Sequence, residues 1–148
     1  MSREFEEALI TEFSKAKPQD FRVNLKEHKI FLCGGPVDAA QPAPPSFRDR
    51  LVAYLECRRR DISKSIILAE SFKDYFKENA YSDLLVFEDD IGSICSLVVI
   101  FLESPGSLVE LGMFCSKPNF FRKLLIVAPN EEIQAEDSFI FLGPLGRL

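Results

Sequence analysis

"SLVVIFLESPGSLVELGMF", residues 96–114, is the stretch whose reading decides the fold. Its first part, Leu97 to Leu102, is apolar throughout, with no polar alternation. A strand with one wet face alternates apolar and polar side chains, so an unbroken run marks a strand covered on both faces. Glu103, Ser104, Pro105 and Gly106 then interrupt the run, and "SLVELGMFCS" resumes with the spacing of a helix. A buried strand, a turn and a helix make up the unit from which parallel sheets are built.

The same unit recurs on either side. "KIFLC", residues 29–33, is a short apolar run that stops at Gly34 and Gly35. "SIILAE" (65–70) and "KLLIVAP" (123–129) read as strands, and "SFIFLG" (138–143) as a fifth. Between them lie helical patterns. Ser46 is the expected N-cap of "FRDRLVAYLECRRR", with an apolar stripe at Phe47, Leu51, Tyr54 and Leu55. "SFKDYFKENA" has helical spacing at Phe72, Tyr75 and Phe76. In "YSDLLVFEDDIGSICS" the inward positions are read as Leu84, Phe87, Ile91 and Ile94. "PVDAAQPAPPS" (36–46) is a proline-rich loop and a candidate lid. Residues 29–148 are therefore read as an α/β domain. It is a doubly wound, mostly parallel sheet of four or five strands with helices on both faces, of Rossmann or flavodoxin type. Residues 1–28 precede it as a helix, with Phe5, Leu9 and Phe13 on one face, and a connector.

Composition narrows the function classes. A net charge of −5 argues against strong direct binding to nucleic acid. No stretch reaches the ~20 apolar residues of a membrane span, and "MSREFEEALITEF" lacks the apolar core of a signal peptide. The cysteines at 33, 57, 95 and 115 form no C-x-x-C pair, which fits neither a zinc site nor a dithiol and points to a reduced, cytoplasmic protein. No metal site is expected.

In a doubly wound sheet, ligands bind beyond the carboxyl ends of the strands. That rule selects Cys33, Gly34 and Gly35 after the first strand, Glu70 after the second, and Glu103 to Glu110 after the third. His28, the only histidine, precedes the first strand and falls at the opposite edge. Ser107-Leu108-Val109-Glu110 matches the S-x-x-E capping box, in which Glu110 would close the helix end. The alternative is a carboxylate in the positive field of the helix start, beside a Ser104-Pro105-Gly106 turn that can hold a sugar hydroxyl or phosphate. Such a carboxylate suits glycosyl transfer, where it stabilises or traps an oxocarbenium-like transition state. Asp89 and Asp90 read as solvated helix face, while Glu88 stays a candidate pocket residue.

"IFLCGG", "SFRDRLVAYL", "FLESPGSLVELGMF", "RKLLIV" and "SFIFLGP" resemble the nucleoside deoxyribosyltransferase-like domain of retron-associated antiphage effectors, from about residue 29 onward. The "ELG" core also resembles classical nucleoside deoxyribosyltransferases, whose nucleophile is the glutamate at the position of Glu110. Glu88 matches a recurring glutamate of the effectors. The resemblance implies an enzyme that breaks N-glycosidic bonds, most of all NAD, giving nicotinamide and ADP-ribose, with no cofactor. It implies a toxin domain held in check by the retron reverse transcriptase and its DNA–RNA hybrid, and assembly into homo-oligomers; effectors of this kind usually continue past "GP" into a winged-helix domain, which residues 1–148 do not include. Cys33, Gly34, Gly35, Glu70, Glu88, Glu103, Ser104, Pro105, Gly106 and Ser107 are the candidate substrate-binding residues around Glu110. The alternatives are a deoxyribosyltransferase or N-glycosidase acting on other nucleosides or deoxynucleotides, and a non-catalytic nucleotide-sensing module.

Overall fold

Four strands, β1 (Ile30–Cys33), β2 (Ile66–Ile67), β3 (Leu97–Phe101) and β4 (Leu124–Val127), pair in parallel in the order β2-β1-β3-β4. Leu32 sits beside Val99, and Val99 beside Leu125, so the central strands are in register along their length. The computed structural model describes residues 27–72, 81 and 83–148, with Glu7, Thr11, Ser14 and Lys15. Phe5, Leu9 and Phe13 of the first predicted helix, and Tyr75 and Phe76, lie outside the described residues.

Strand residues alternate between two apolar layers. Phe31, Cys33, Val98 and Ile100 pack with Phe87 and Ile91 of α3 (Leu84–Ile94) and with Leu111 and Phe114 of α4 (Pro105–Cys115). Leu32, Val99 and Phe101 face Leu51 and Val52 of α1 (Phe47–Arg58). A four-residue helix, α2 (Arg60–Ser63), follows α1. The chain leaves β1 toward β2 through α1, then returns across β1 to β3 through α3. Right-handed crossovers in opposite directions must lie on opposite faces, which is where α1 and α3 are found. The reversal places the crevice between the carboxyl ends of β1 and β3, the usual ligand position in such a sheet.

Several expectations are corrected. "SFIFLG" is not a fifth strand: Phe139–Leu142 forms a short helix, with Ser138 Oγ accepting from Phe141 N and Gly143 N donating to Phe139 O. A four-residue apolar run bounded by Ser and Gly suits either state, and here the Ser cap prevails. β2 is only two residues long, and Ala69–Phe72 turns into a 3₁₀ helix instead of extending the strand. In α1, Phe47 and Tyr54 are exposed, and the inner face runs through Arg48, Leu51, Val52 and Leu55. In α3, Leu84 and Ile94 are exposed, and the buried positions are Phe87, Glu88, Ile91 and Gly92. A Cβ on Gly92 would lie 2.8 Å from the Phe114 ring and 2.9 Å from the Phe120 ring, so these rings draw the Gly92 side of the helix inward. α5 (Asn130–Gln134) and α6 (Phe139–Leu142) complete the chain, ending in a 3₁₀ turn at Leu145–Arg147. Among the described residues the cysteines are free, with Cys33, Cys95 and Cys115 buried and Cys57 exposed. No described helix is long and apolar enough to cross a membrane.

Candidate active site

The crevice between β1 and β3 is built around the Glu103 carboxylate. Its Oε1 accepts from Gly35 N and Arg48 N, both at 3.0 Å, and its Oε2 from Phe47 N at 2.7 Å. Phe47 and Arg48 open α1, so Glu103 occupies two otherwise unpaired amides at that helix start and stabilises its positive end. The loop after β1 is drawn against β3 by the same bonds. Gly34, at φ 151°, has no room for a side chain: a Cβ would stand 2.9 Å from Phe101 Cβ. A Cβ on Gly35 would stand 2.8 Å from Ser46 Cβ. The two glycines let the loop pass beneath Glu103, and Gly35's amide is taken by that carboxylate.

The start of α4 is also committed to structure, though not as the spacing predicts. The N-cap is Ser104, not Ser107; Pro105 occupies the first helical position, where its missing N–H costs nothing, and Gly106 follows it. Ser104 Oγ accepts from Ser107 N at 3.1 Å, and Ser107 Oγ accepts from Ser104 N at 3.1 Å. Ser107 is wholly buried. This Ser–Ser box does the work that the S-x-x-E reading assigned to Glu110, one turn further along. Ser104 Oγ also reaches Gly34 O at 3.4 Å, tying α4 to the end of β1.

Glu110 is thereby free of any capping role. It meets Glu88 from α3, Arg48 from α1, Glu70 from the 3₁₀ helix and Cys33 from the end of β1. Its Oε2 is buried and has no hydrogen-bond partner among the described residues. Burial, and next the Glu88 charge, push its carboxyl up to about 7; Arg48 draws it down, Glu70 raises it, and the Cys33 thiol lowers it as a donor. Glu88 is 6% exposed, and burial followed by Glu70 raises its carboxyl too. Cys33 is raised well above the usual thiol range by burial first and then by Glu110 and Glu88, so it is a neutral donor and not a nucleophile. The Arg48 guanidinium hydrogen-bonds Leu32 O at 3.1 Å and forms an ion pair with Glu70. Two acids that share one site push each other toward protonation, and a single arginine opposes them. The result is a half-buried carboxyl that titrates near neutral pH and is ionised above it.

Of the predicted residues, Cys33, Glu70, Glu88 and Glu110 come together. Gly34, Gly35, Glu103, Ser104, Pro105, Gly106 and Ser107 form the neighbouring scaffold at the strand ends. Around Glu103, three hollows of about 520, 360 and 270 Å³ adjoin along the sheet rim. The largest runs from Phe47 and Phe101 to Pro129 and Glu131. Gly35 and the proline loop line the smallest, and Glu110 lines none of the three. His28 lies at the amino edge, with Nδ1 3.0 Å from Ser96 Oγ. Among the described residues no group of His, Cys, Asp and Glu could hold a metal ion. Sequence reading missed Arg48, although one signal was present: a basic residue in a first helical turn, where positive charge is locally unfavourable.

A sequence model of the STM3845 retron effector protein matches residues 44–148. The Escherichia coli "Retron Ec86 putative ribosyltransferase/DNA-binding protein" is 33% identical over 117 residues, spanning 78% of this chain and 36% of that protein. The Escherichia coli "Retron Ec73 putative ribosyltransferase/DNA-binding protein" is 31% identical over 141 residues, spanning 93% of this chain and 43% of that protein. This chain thus covers less than half of either relative. Both names include DNA binding, which the acidic charge of this chain did not lead one to expect.

Proposed function

The chain belongs to the STM3845 retron effector family, and on that footing we propose that its acid cluster breaks the N-glycosidic bond of a nucleotide. The observation that carries the reading is the Glu110 carboxylate: its Oε2 is buried and unpartnered among the described residues, and Arg48, Glu70, Glu88 and Cys33 surround it. Ionised, it stabilises the oxocarbenium-like sugar or bonds to its anomeric carbon, and water then releases the product. The domain in this reading is of nucleoside deoxyribosyltransferase type, consistent with the ribosyltransferase wording in the relatives' names.

NAD is the substrate that asks least of the site. Its nicotinamide is cationic while bound to ribose and leaves as a neutral ring, so no general acid is needed. The only histidine is at the far edge of the sheet. The buried Glu88 favours a second reading, in which a protonated acid serves an ordinary nucleoside or deoxynucleotide, whose base leaves best when protonated. In the whole system the toxin activity, the homo-oligomer and the reverse transcriptase with its DNA–RNA hybrid belong to the same proposal. Contact with DNA by the longer family members fits it as well.

Purified protein incubated with NAD and a panel of nucleosides and deoxynucleotides separates the readings by the base released. Nicotinamide from NAD alone supports the first, and purines or pyrimidines from the panel support the second. Tight nucleotide binding without any released base, unchanged by Glu110→Gln, would replace both with a sensing module.

A further inference from the structure

We infer that Arg48 is a positioning residue of the acid cluster, holding the charge balance that lets Glu110 ionise among three carboxylates. The inference deepens the proposed function and rests on Glu110 as the reacting carboxylate. Arg48 is the second residue of α1, where the helix field is positive and a cation is disfavoured. It is nonetheless 5% exposed, and its Nε is buried without a partner among the described residues. An arginine kept for α1 alone would turn outward into water, as its long stem allows. A buried ion pair is also weak support for stability, since an apolar pair of similar volume often does as well. Neither helix stability nor packing accounts for its position.

Its surroundings do. The guanidinium bridges the carbonyl of Leu32, at the end of β1, to the Glu70 carboxylate, and this holds Glu70 to the sheet end. Among the described residues, the titratable groups that face Glu110 are Arg48 from α1, Glu70 from the 3₁₀ helix, Glu88 from α3 and Cys33 from β1. Arg48 is the only cation among them. It lowers both Glu110 and Glu88, whereas Glu70 raises both. The two members of one ion pair thus act on the reacting carboxylate with opposite signs.

The experiment is a carboxyl-carbon NMR titration of Glu110 in the full chain, assigned with Glu110→Gln, run beside the pH profile of base release. Arg48→Gln raises the Glu110 midpoint and Glu70→Gln lowers it, each by about one pH unit. Arg48→Lys, which keeps the charge, stays near the wild-type midpoint. Movement of both charge variants in the same direction, or no movement in either, overturns the inference. Should Arg48→Gln fail to fold, Glu70→Gln still decides: a midpoint that does not fall refutes Arg48's partner as an electrostatic element, and the inference with it. A wild type that releases no base sinks the proposed reaction, while the titration still judges Arg48 independently.

Discussion

Glu110→Gln replaces a poorly tolerated charge with a neutral group of the same shape, so it should stabilise the protein at alkaline pH while removing its chemistry. The magnitude follows from the carboxyl's displacement from 4.5 to about 7. About 2.5 units at 1.36 kcal/mol per unit gives about 3 kcal/mol, and partial access to solvent reduces this to about 2 kcal/mol. The folded chain keeps this proton to about pH 7, whereas the unfolded chain releases it near 4.5. The folded state therefore binds more protons between those values, and stability falls as pH rises through the window. Below it the side chain is protonated in both states and Glu110→Gln changes little; above it the variant is ahead by the full amount. Urea unfolding of wild type and variant at pH 5 and pH 8 measures this directly, because the carboxylates outside the cluster titrate alike in both proteins. The gap should widen by about 2 kcal/mol between the two conditions. A gap that does not change with pH, or a wild type more stable at pH 8, would show that Glu110 is not a strained, protonated acid in the fold.

The scaffold around the cluster yields two more expectations. Gly34→Ala forces a side chain into a positive-φ position within 2.9 Å of Phe101 Cβ, and a loss of about 2 kcal/mol in urea unfolding is expected. Glu103→Gln can no longer accept from all three amides of Gly35, Phe47 and Arg48. It should lower unfolding stability by about 2 kcal/mol, and a thermal melt matching wild type would contradict the role assigned to that carboxylate.

Much of the fold was legible because burial leaves a one-dimensional trace. Leu97 to Phe101 could only be a strand covered on both faces, and the glycine pair after Cys33 marked where β1 had to stop. The errors have physical causes. Phe47 and Tyr54 look like core residues by type, yet the inner face of α1 is set by what Arg48 must reach. Phe139 to Leu142 is too short for periodicity to distinguish helix from strand, and a serine hydroxyl settles it. At the site, the S-x-x-E spacing pointed to Ser107 as the N-cap, whereas the helix starts one turn earlier, with Ser104 as its cap. Pro105 was the sign that favoured the earlier start, since proline suits the first helical position. Glu70, Glu110 and Cys33 could be named from strand-end logic and Glu88 from the resemblance to the effectors, but their convergence on Arg48 is long-range, and no local pattern encodes it.

The central claim is that the Glu110 carboxylate meets the positive charge that grows on a sugar carbon. The most direct measurement is nicotinamide release from NAD at pH 8, by equal amounts of folded wild type and Glu110→Gln. Release by wild type, with loss of at least about a hundredfold in the variant, is the predicted result. Equal rates from the two proteins would contradict it.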